Sequence, residues 1–272
     1  MTASVIDLSG RGRIKVTGED RARLLHAMTT NHVQQMQPGD VVYAFFLDAQ
    51  GRILADAHLL CFEDHFLLDV APASRAFLLE HLDHYIIADD VELEDVTAST
   101  WCLGVEGDGV EPPADAVQIS YTGEPGYRLY GSGPLPELGL PPMSLEEADA
   151  LRIANRKPAF GVDFGDKSIP QETQLMHAVH FQKGCYIGQE IVERVRARGH
   201  LNKLLMAFEI AAPVTVAAGE KVFHEGKETG EITSSVIHAG KTFGFGVIRV
   251  PAAAVGAVVE VAGHSATLAA PK

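Results

Sequence analysis

The chain has 272 residues, 46% hydrophobic and 21% charged, with a formal net charge of −14. That balance describes a folded protein of one large or two smaller domains, and the negative excess disfavours broad binding to nucleic acid. Three widely spaced cysteines, Cys61, Cys102 and Cys185, include no CxxC pair, which argues against a disulfide framework or a metal site built by this chain alone.

In chain order, the N-terminus has no apolar run of signal-peptide length. No later segment is apolar for the ~18 residues a membrane span needs, so a cytoplasmic protein without membrane contact is expected. RIKV (13–16) reads as a strand. TGEDRARLLHAM (17–28) reads as a helix in which Thr17 can cap the start, Glu19 and Asp20 favour the positive end, and Ala22, Leu25 and Met28 form an apolar face. VVYAFFL (41–47) and RILADAHLL (52–60) read as strands joined through DAQG, a hairpin-type loop. Alternation puts Ile53, Ala55, Ala57 and Leu59 on one face, and Arg52, Leu54, Asp56, His58 and Leu60 on the other. The second face either lines a polar cavity or lies half exposed. APASRAFLLEHLDHY (71–85) is a second helix with Pro72 near its start. SLEEADALRIAN (144–155) is a third, with Ser144 and Glu147 at capping-box spacing and Pro158 beyond its end. His81 and His84, like His177 and His180, have i,i+3 spacing but no third ligand nearby, and read as surface histidines. There is no GxGxxG after a strand and no GxxxxGK[ST], so a dinucleotide or P-loop site is unsupported.

After about Leu201 the texture changes. LLMAFEI, KVFHEG, ETGEITSSVIH, FGFGVIRV and VVEVAGH are short strands punctuated by glycines, as in a small antiparallel barrel or sandwich. A boundary near residues 199–202 divides the chain into 1–199 and 200–272.

Between these regions stands FQKGCYIGQEIVERVRARGH (181–200). From Gly188 onward it reads as a helix with Ile191, Val192 and Val195 on one face and a Glu190–Arg194 pair at i,i+4. Cys185 and Tyr186 then fall in the turn entering the helix, where backbone N–H groups and Lys183 favour a thiolate. The thiol is either reactive or an inert cysteine on a tight turn. Arg194, Arg196, Arg198, His200 and Lys203 form either a solvated basic patch or an anion site for a ligand tail.

KGCYIGQEIVERV resembles the signature of the YgfZ-type folate-binding proteins, relatives of the aminomethyltransferase (T-protein) of the glycine cleavage system. The N-terminal stretch from LSGRGRIKV to GRILAD, the central YTGEPGYRLY and the C-terminal GEITSSVIHAGKTFGFGVIRV carry the same resemblance. It implies an α+β folate-binding module of ferredoxin-like halves, closed into a ring by a C-terminal antiparallel β-barrel, with tetrahydrofolate in the central hole. Tyr43 and Tyr121 match tyrosines that line the folate site, and Asp56 matches the T-protein's catalytic aspartate, with Ala55 replacing the acid before it. Lys183 and Cys185 match the residues that mark the YgfZ branch, within a motif that includes Gly184, Tyr186, Gly188, Gln189 and Glu190.

Two departures stand out. Arg128 takes the place of a glutamate that holds folate in T-protein, and Ala148 the place of a folate-contacting arginine. A carboxylate accepts the pterin's N–H groups whereas a guanidinium offers only donors, so T-protein's contact cannot be copied. The resemblance implies a tetrahydrofolate-binding protein that supports assembly or repair of iron–sulfur clusters in client enzymes, tRNA-modifying ones among them. Cys185 and Asp56 would be its chemically active residues, with Tyr43, Tyr121, Arg128 and Lys183 beside the ligand. The alternative is a folate-dependent aminomethyl- or methyltransferase. Since clusters take about four cysteines, one thiol implies a client or assembly protein as partner; no direct nucleic-acid partner is expected.

Overall fold

The computed structural model describes residues 2–272. The chain runs through β1 (Ser4–Asp7), β2 (Gly12–Thr17), α1 (Arg21–Met28), β3 (Val41–Leu47), β4 (Ile53–Cys61), β5 (Phe66–Val70), α2 (Arg75–Tyr85), β6 (Glu92–Asp95) and β7 (Thr100–Glu106). It continues with β8 (Gly126–Ser132), α3 (Leu145–Ala154), the short α4 (Pro170–Thr173) and α5 (Gln189–Arg198). The last strands are β9 (Lys203–Ile210), β10 (Lys221–His224), β11 (Lys227–His238), β12 (Lys241–Arg249), β13 (Val258–Val261) and β14 (His264–Ala269). They form a 5-stranded sheet in the order β3-β4-β5-β2-β6, a 3-stranded sheet β1-β7-β8, and a closed barrel β10-β11-β12-β9-β14-β13. The expected α+β architecture with a C-terminal antiparallel barrel is the one observed.

Side-chain alternation on β4 decides where the first core lies. Ala55, Ala57 and Leu59 are buried with Leu24, Leu25 and Met28 of α1 and Leu78 and Leu82 of α2. Asp56 and His58 therefore point the other way. Register extends that polar face across the sheet, because directly paired residues share a side: Tyr43 lies opposite His58, and His58 opposite Asp69.

The sequence misplaces one cap and misses several strands. Thr17 does not cap α1, since it is still paired with Glu92 as the last residue of β2, and Asp20 occupies the N-cap position. On α3, by contrast, Ser144 and Glu147 make the full capping box. Pattern alone does not single out strands β1, β5, β6, β7 and β14. β5 is buried at every position, so no alternation is present to read.

The change of texture near Leu201 coincides with the start of β9, and only a 3-10 turn, Val250–Ala252, interrupts the strands beyond it. One apolar cluster crosses that point. Phe45, Leu47 and Ile53 of the β3–β4 hairpin, Phe164, Leu175 and Val192 pack with Leu205, Ala207 and Phe245 of the barrel. Among the described residues no helix is long and apolar enough to cross a membrane.

Candidate functional site

The polar face of β3 and β4 opens into a cavity of about 350 Å³. Segments around Gln118–Tyr121, Lys157–Phe160 and Leu175–His177 complete its walls, together with Arg11, Arg128, Arg152 and Lys272. Tyr43, Asp56, Tyr121 and Arg128, singled out from sequence, all line this one space. Its volume is at the lower end of the usual range for small-molecule sites.

At the hairpin wall the Tyr43 hydroxyl donates to Asp56 Oδ2 at 2.8 Å. Burial pushes the Asp56 carboxyl above the ordinary aspartate range, against the opposing pull of the Tyr43 hydrogen bond and the Arg11 charge. Burial and the adjacent carboxylate push the Tyr43 phenol well up. The Tyr43 ring is tilted against His58 and His177, with centroids 5.0 and 5.6 Å away. Burial keeps His58 well below its usual pKa, and the Arg128 charge acts in the same sense, so its imidazole is neutral.

Asp69 sits between the two sheets and ties them together. Arg128 Nη1 and the Tyr130 hydroxyl, both from β8, donate to its Oδ2 at 2.6 Å. Arg11 Nε donates to Oδ1. The two guanidinium groups hold Asp69 far below the carboxylate range even though its burial opposes ionisation.

A second carboxylate shapes the far wall. Glu106 is fully buried and accepts from Ser120 Oγ and Thr122 Oγ1 at 2.7 Å each, and from the Tyr121 backbone N–H. That turn presents the Tyr121 ring, whose hydroxyl donates to Asp149 Oδ1 at 3.0 Å. Asp149 and Arg152, both on α3, form an i,i+3 pair at 2.6 Å.

The motif at 181–190 lies elsewhere. Lys183 and Cys185 do not line the cavity. Lys183 is 6% exposed and its ammonium donates to the carbonyls of His26 and Thr29, at the end of α1. Desolvation pushes its pKa down to about 7. In return, His26 Nε2 bonds to the Lys183 carbonyl at 2.7 Å, and its Nδ1 accepts from the Val33 and Gln34 N–H groups, which fixes the proton on Nε2. The expectation that Lys183 faces the thiol and the ligand thus meets a different geometry, in which the ammonium satisfies the orphan carbonyls of a helix C-terminus.

Gly184 has φ +98° and carries the turn on to Cys185, which is exposed. Tyr186 is buried under the Lys183 ammonium, 4.9 Å from the ring centroid. Gly188 is the left-handed N-cap of α5, followed by Gln189 and the acidic Glu190 in the first turn. Arg196 pairs with Glu193 at 3.4 Å and lies over the Phe181 ring, in place of the expected Glu190–Arg194 pairing on this helix. Arg194, Arg198 and His200 are exposed, Lys203 approaches Glu172 at 3.9 Å, and none of this basic cluster lines the cavity. His177, read as a surface histidine, is exposed yet stands at the cavity mouth. Ala148 is fully buried in α3.

Sequence reasoning missed Arg11, Lys157 and Arg152. No local pattern marks them, because the strands and loops that bring them together are distant in the chain. Among the described residues no group of three or more His, Cys, Asp or Glu side chains is placed to hold a metal.

Comparison with known proteins gives the same picture. Residues 1–111 match the family model described as the GCVT N-terminal domain. The chain is 29% identical, over 95% of its length and 82% of the relative's, to an aminomethyltransferase of Geobacillus thermodenitrificans. It is 28% identical to a putative chloroplastic transferase of Arabidopsis thaliana, over 94% of this chain and 68% of that one. A mitochondrial iron–sulfur cluster assembly factor IBA57 homolog of Mycosarcoma maydis is 27% identical over 72% of this chain and 54% of its own length. Among solved structures, the glycine cleavage system aminomethyltransferase T from Bartonella henselae superposes with a TM-score of 0.82, covering 100% of this chain and 85% of that one at 17% identity. The chain therefore has the fold of the glycine-cleavage T-protein, and its residues 1–111 are similar to the GCVT N-terminal domain.

Proposed function

We propose that this protein binds tetrahydrofolate, or a one-carbon derivative of it, in the cavity between the β3–β4 hairpin and Tyr121. In this reading it supports assembly or repair of iron–sulfur clusters in client enzymes, including tRNA-modifying ones. The observation that carries the ligand is the convergence of Tyr43, Asp56 and Tyr121 on one space. The donor set suits a folate. Tyr43, Tyr121, Phe160 and His58 offer faces for flat rings, Asp56 offers a carboxyl, and Arg11, Arg152 and Lys157 offer cations for the ligand's carboxylates. When bound, tetrahydrofolate would supply ring nitrogens able to carry a one-carbon unit.

Burial raises the Asp56 pKa, which brings its carboxyl closer to proton exchange with the ligand, and Tyr43 would fix that carboxyl's orientation. The exposed Cys185 would serve the protein partner, outside the cavity. The similarity to an iron–sulfur cluster assembly factor homolog supports this branch of the reading. A second reading, a folate-dependent aminomethyl- or methyltransferase, draws on the presence of Asp56 and on similarity to aminomethyltransferases. Arg128 argues against unchanged chemistry, because its guanidinium cannot accept a pterin's N–H groups.

Calorimetric titration with tetrahydrofolate and 5,10-methylene-tetrahydrofolate tests the ligand, using wild type, Asp56→Ala and Tyr43→Phe. Binding by wild type that weakens at least tenfold in Asp56→Ala is expected; no binding by the wild type overturns the folate reading. Turnover of a small amine donor with tetrahydrofolate would favour the transferase. In cells lacking the native protein, Cys185→Ala should fold yet fail to restore iron–sulfur enzyme activity, and full complementation would remove Cys185 from the mechanism.

A further inference from the structure

Cations outnumber anions along the cavity. Arg11, Arg128, Arg152, Lys157 and Lys272 line it beside the carboxyl of Asp56, which burial favours in its neutral form. Arg152 is matched by Asp149 at 2.6 Å and Asp163 at 3.0 Å. Arg11 and Arg128 are not matched in this way, because both draw on Asp69. That trio keeps a surplus positive charge, and the neutral His58 beside it removes none.

Arg128 is 2% exposed, and its buried Nε–H has no acceptor. An unpaired buried donor of this kind costs about 1–3 kcal/mol, more when charged. Lys157 is similarly under-used. Its ammonium donates to the Ser120 carbonyl, leaving N–H groups to spare. The nearby Glu106 carboxylate is taken up by Ser120, Tyr121 and Thr122. Burial and the Arg128 charge bring the Lys157 pKa down to about 8, still cationic at neutral pH.

We infer that Arg128 and Lys157 form a subsite for a carboxylate of the ligand. An acceptor-only anion can take N–H groups from both side chains and neutralise the surplus charge, which a neutral ring bearing N–H donors cannot do. The cavity therefore selects small aromatic acids over neutral pteridines. The inference rests on the proposed folate reading only for the identity of the ligand; in a folate the group concerned is a carboxylate of the glutamate portion.

The test uses probes that separate the two halves of such a ligand. p-Aminobenzoylglutamate carries the carboxylates without the pterin, and 6-methyltetrahydropterin carries the pterin without carboxylates. Both are titrated, beside tetrahydrofolate, into wild type, Lys157→Met, Lys157→Arg and Arg128→Met. Wild type should bind p-aminobenzoylglutamate. Lys157→Met should weaken that by roughly 10- to 100-fold, the range for a hydrogen bond to a charged group, and Lys157→Arg should retain most of it. Arg128→Met strips a partner from buried Asp69 and can unfold the protein, so the two Lys157 variants decide the outcome. Unchanged binding of p-aminobenzoylglutamate to Lys157→Met overturns the subsite, as does binding of the pterin alone to wild type. If tetrahydrofolate binds equally to wild type and Lys157→Met, the subsite falls and the folate reading stands. If tetrahydrofolate does not bind but the acid binds through Lys157, the folate reading falls and the subsite stands. Failure of every probe overturns both.

Discussion

Lys183 carries its charge almost entirely out of water, and what it meets there is the end of α1. Its folded pKa of about 7 lies below the ~10.4 of an unfolded lysine. As pH rises through 7 the folded chain sheds this proton while the unfolded chain keeps it until ~10.4, so the lysine's contribution makes stability rise with pH across that window. Lys183→Met cannot titrate. Urea unfolding at pH 6.5 and 9.5 should therefore show the wild type's advantage over this variant growing with pH. At the higher pH the variant should be weaker by about 1–3 kcal/mol, for carbonyls left without a donor. An advantage independent of pH would mean that the ammonium stays hydrated. Asp56 gives the opposite sign. Burial raises its pKa, so its contribution is fully present below the unfolded value of ~3.9 and is lost as pH rises through the folded value. Asp56→Asn should be less sensitive to pH over that range and should lose ligand binding; identical pH profiles of stability for the two proteins would place the carboxyl in solvent. The two residues differ in how far sequence can place them. Alternation along β4 gives Asp56 a face, and the cavity reading follows from it. For Lys183 the nearby thiol is visible in the sequence, but the carbonyls it serves are on a helix more than a hundred residues earlier.

At the scale of elements, Gly188 of the motif positions backbone where a side chain would not fit. Gly188 has φ +82°, and a Cβ there would stand 2.6 Å from the Asp48 carbonyl oxygen in the β3–β4 turn. This contact sets α5 on the tip of the hairpin whose strands carry Tyr43 and Asp56. Gly188→Ala should cost about 1–3 kcal/mol, the range for strained backbone, read as a lowered urea midpoint. A loss below a few tenths of a kcal/mol would show that the turn adjusts freely. The α3 cap is a milder test, in that Ser144→Ala removes one half of a capping box and should cost about 1 kcal/mol in the same measurement. That cap is legible because both partners are three residues apart. Thr17 has the right residue type, yet pairing with β6 keeps it in a strand, which no local signal reports. Strand β5 is hidden for a related reason: a strand buried on both sides has no period, so its identity depends on its neighbours β4 and β2.

For the whole molecule, the barrel is held to the rest by an apolar cluster and by one buried carboxylate. Asp163 is 1% exposed. Its Oδ2 accepts from Arg152 Nη1 at 3.0 Å and from the Ala159 N–H at 2.8 Å. Its Oδ1 accepts from Thr233 Oγ1 at 3.1 Å and Ser234 Oγ at 2.5 Å, both on β11. One side chain thus joins α3, which carries Arg152 to the cavity, to the barrel wall. The change to short, glycine-punctuated strands suggests two regions near residue 200, and β9 does begin there. Composition cannot report whether the two regions share a core, because the cluster of Phe45, Ile53, Leu205 and Phe245 assembles only in three dimensions. Asp163→Ala leaves the Arg152 guanidinium with the more exposed Asp149 as its one carboxylate partner and strips two hydroxyls of their acceptor, so a loss of about 3–5 kcal/mol is expected. If the barrel depends on this junction, amide exchange on β11 and β12 should accelerate together with exchange on α3, and tetrahydrofolate affinity should fall as Arg152 is released from its position. If the barrel is a separately stable unit, β11 and β12 will keep their protection while only α3 loosens. The second pattern would make the shared apolar cluster a docking surface between two independent domains instead of a common core.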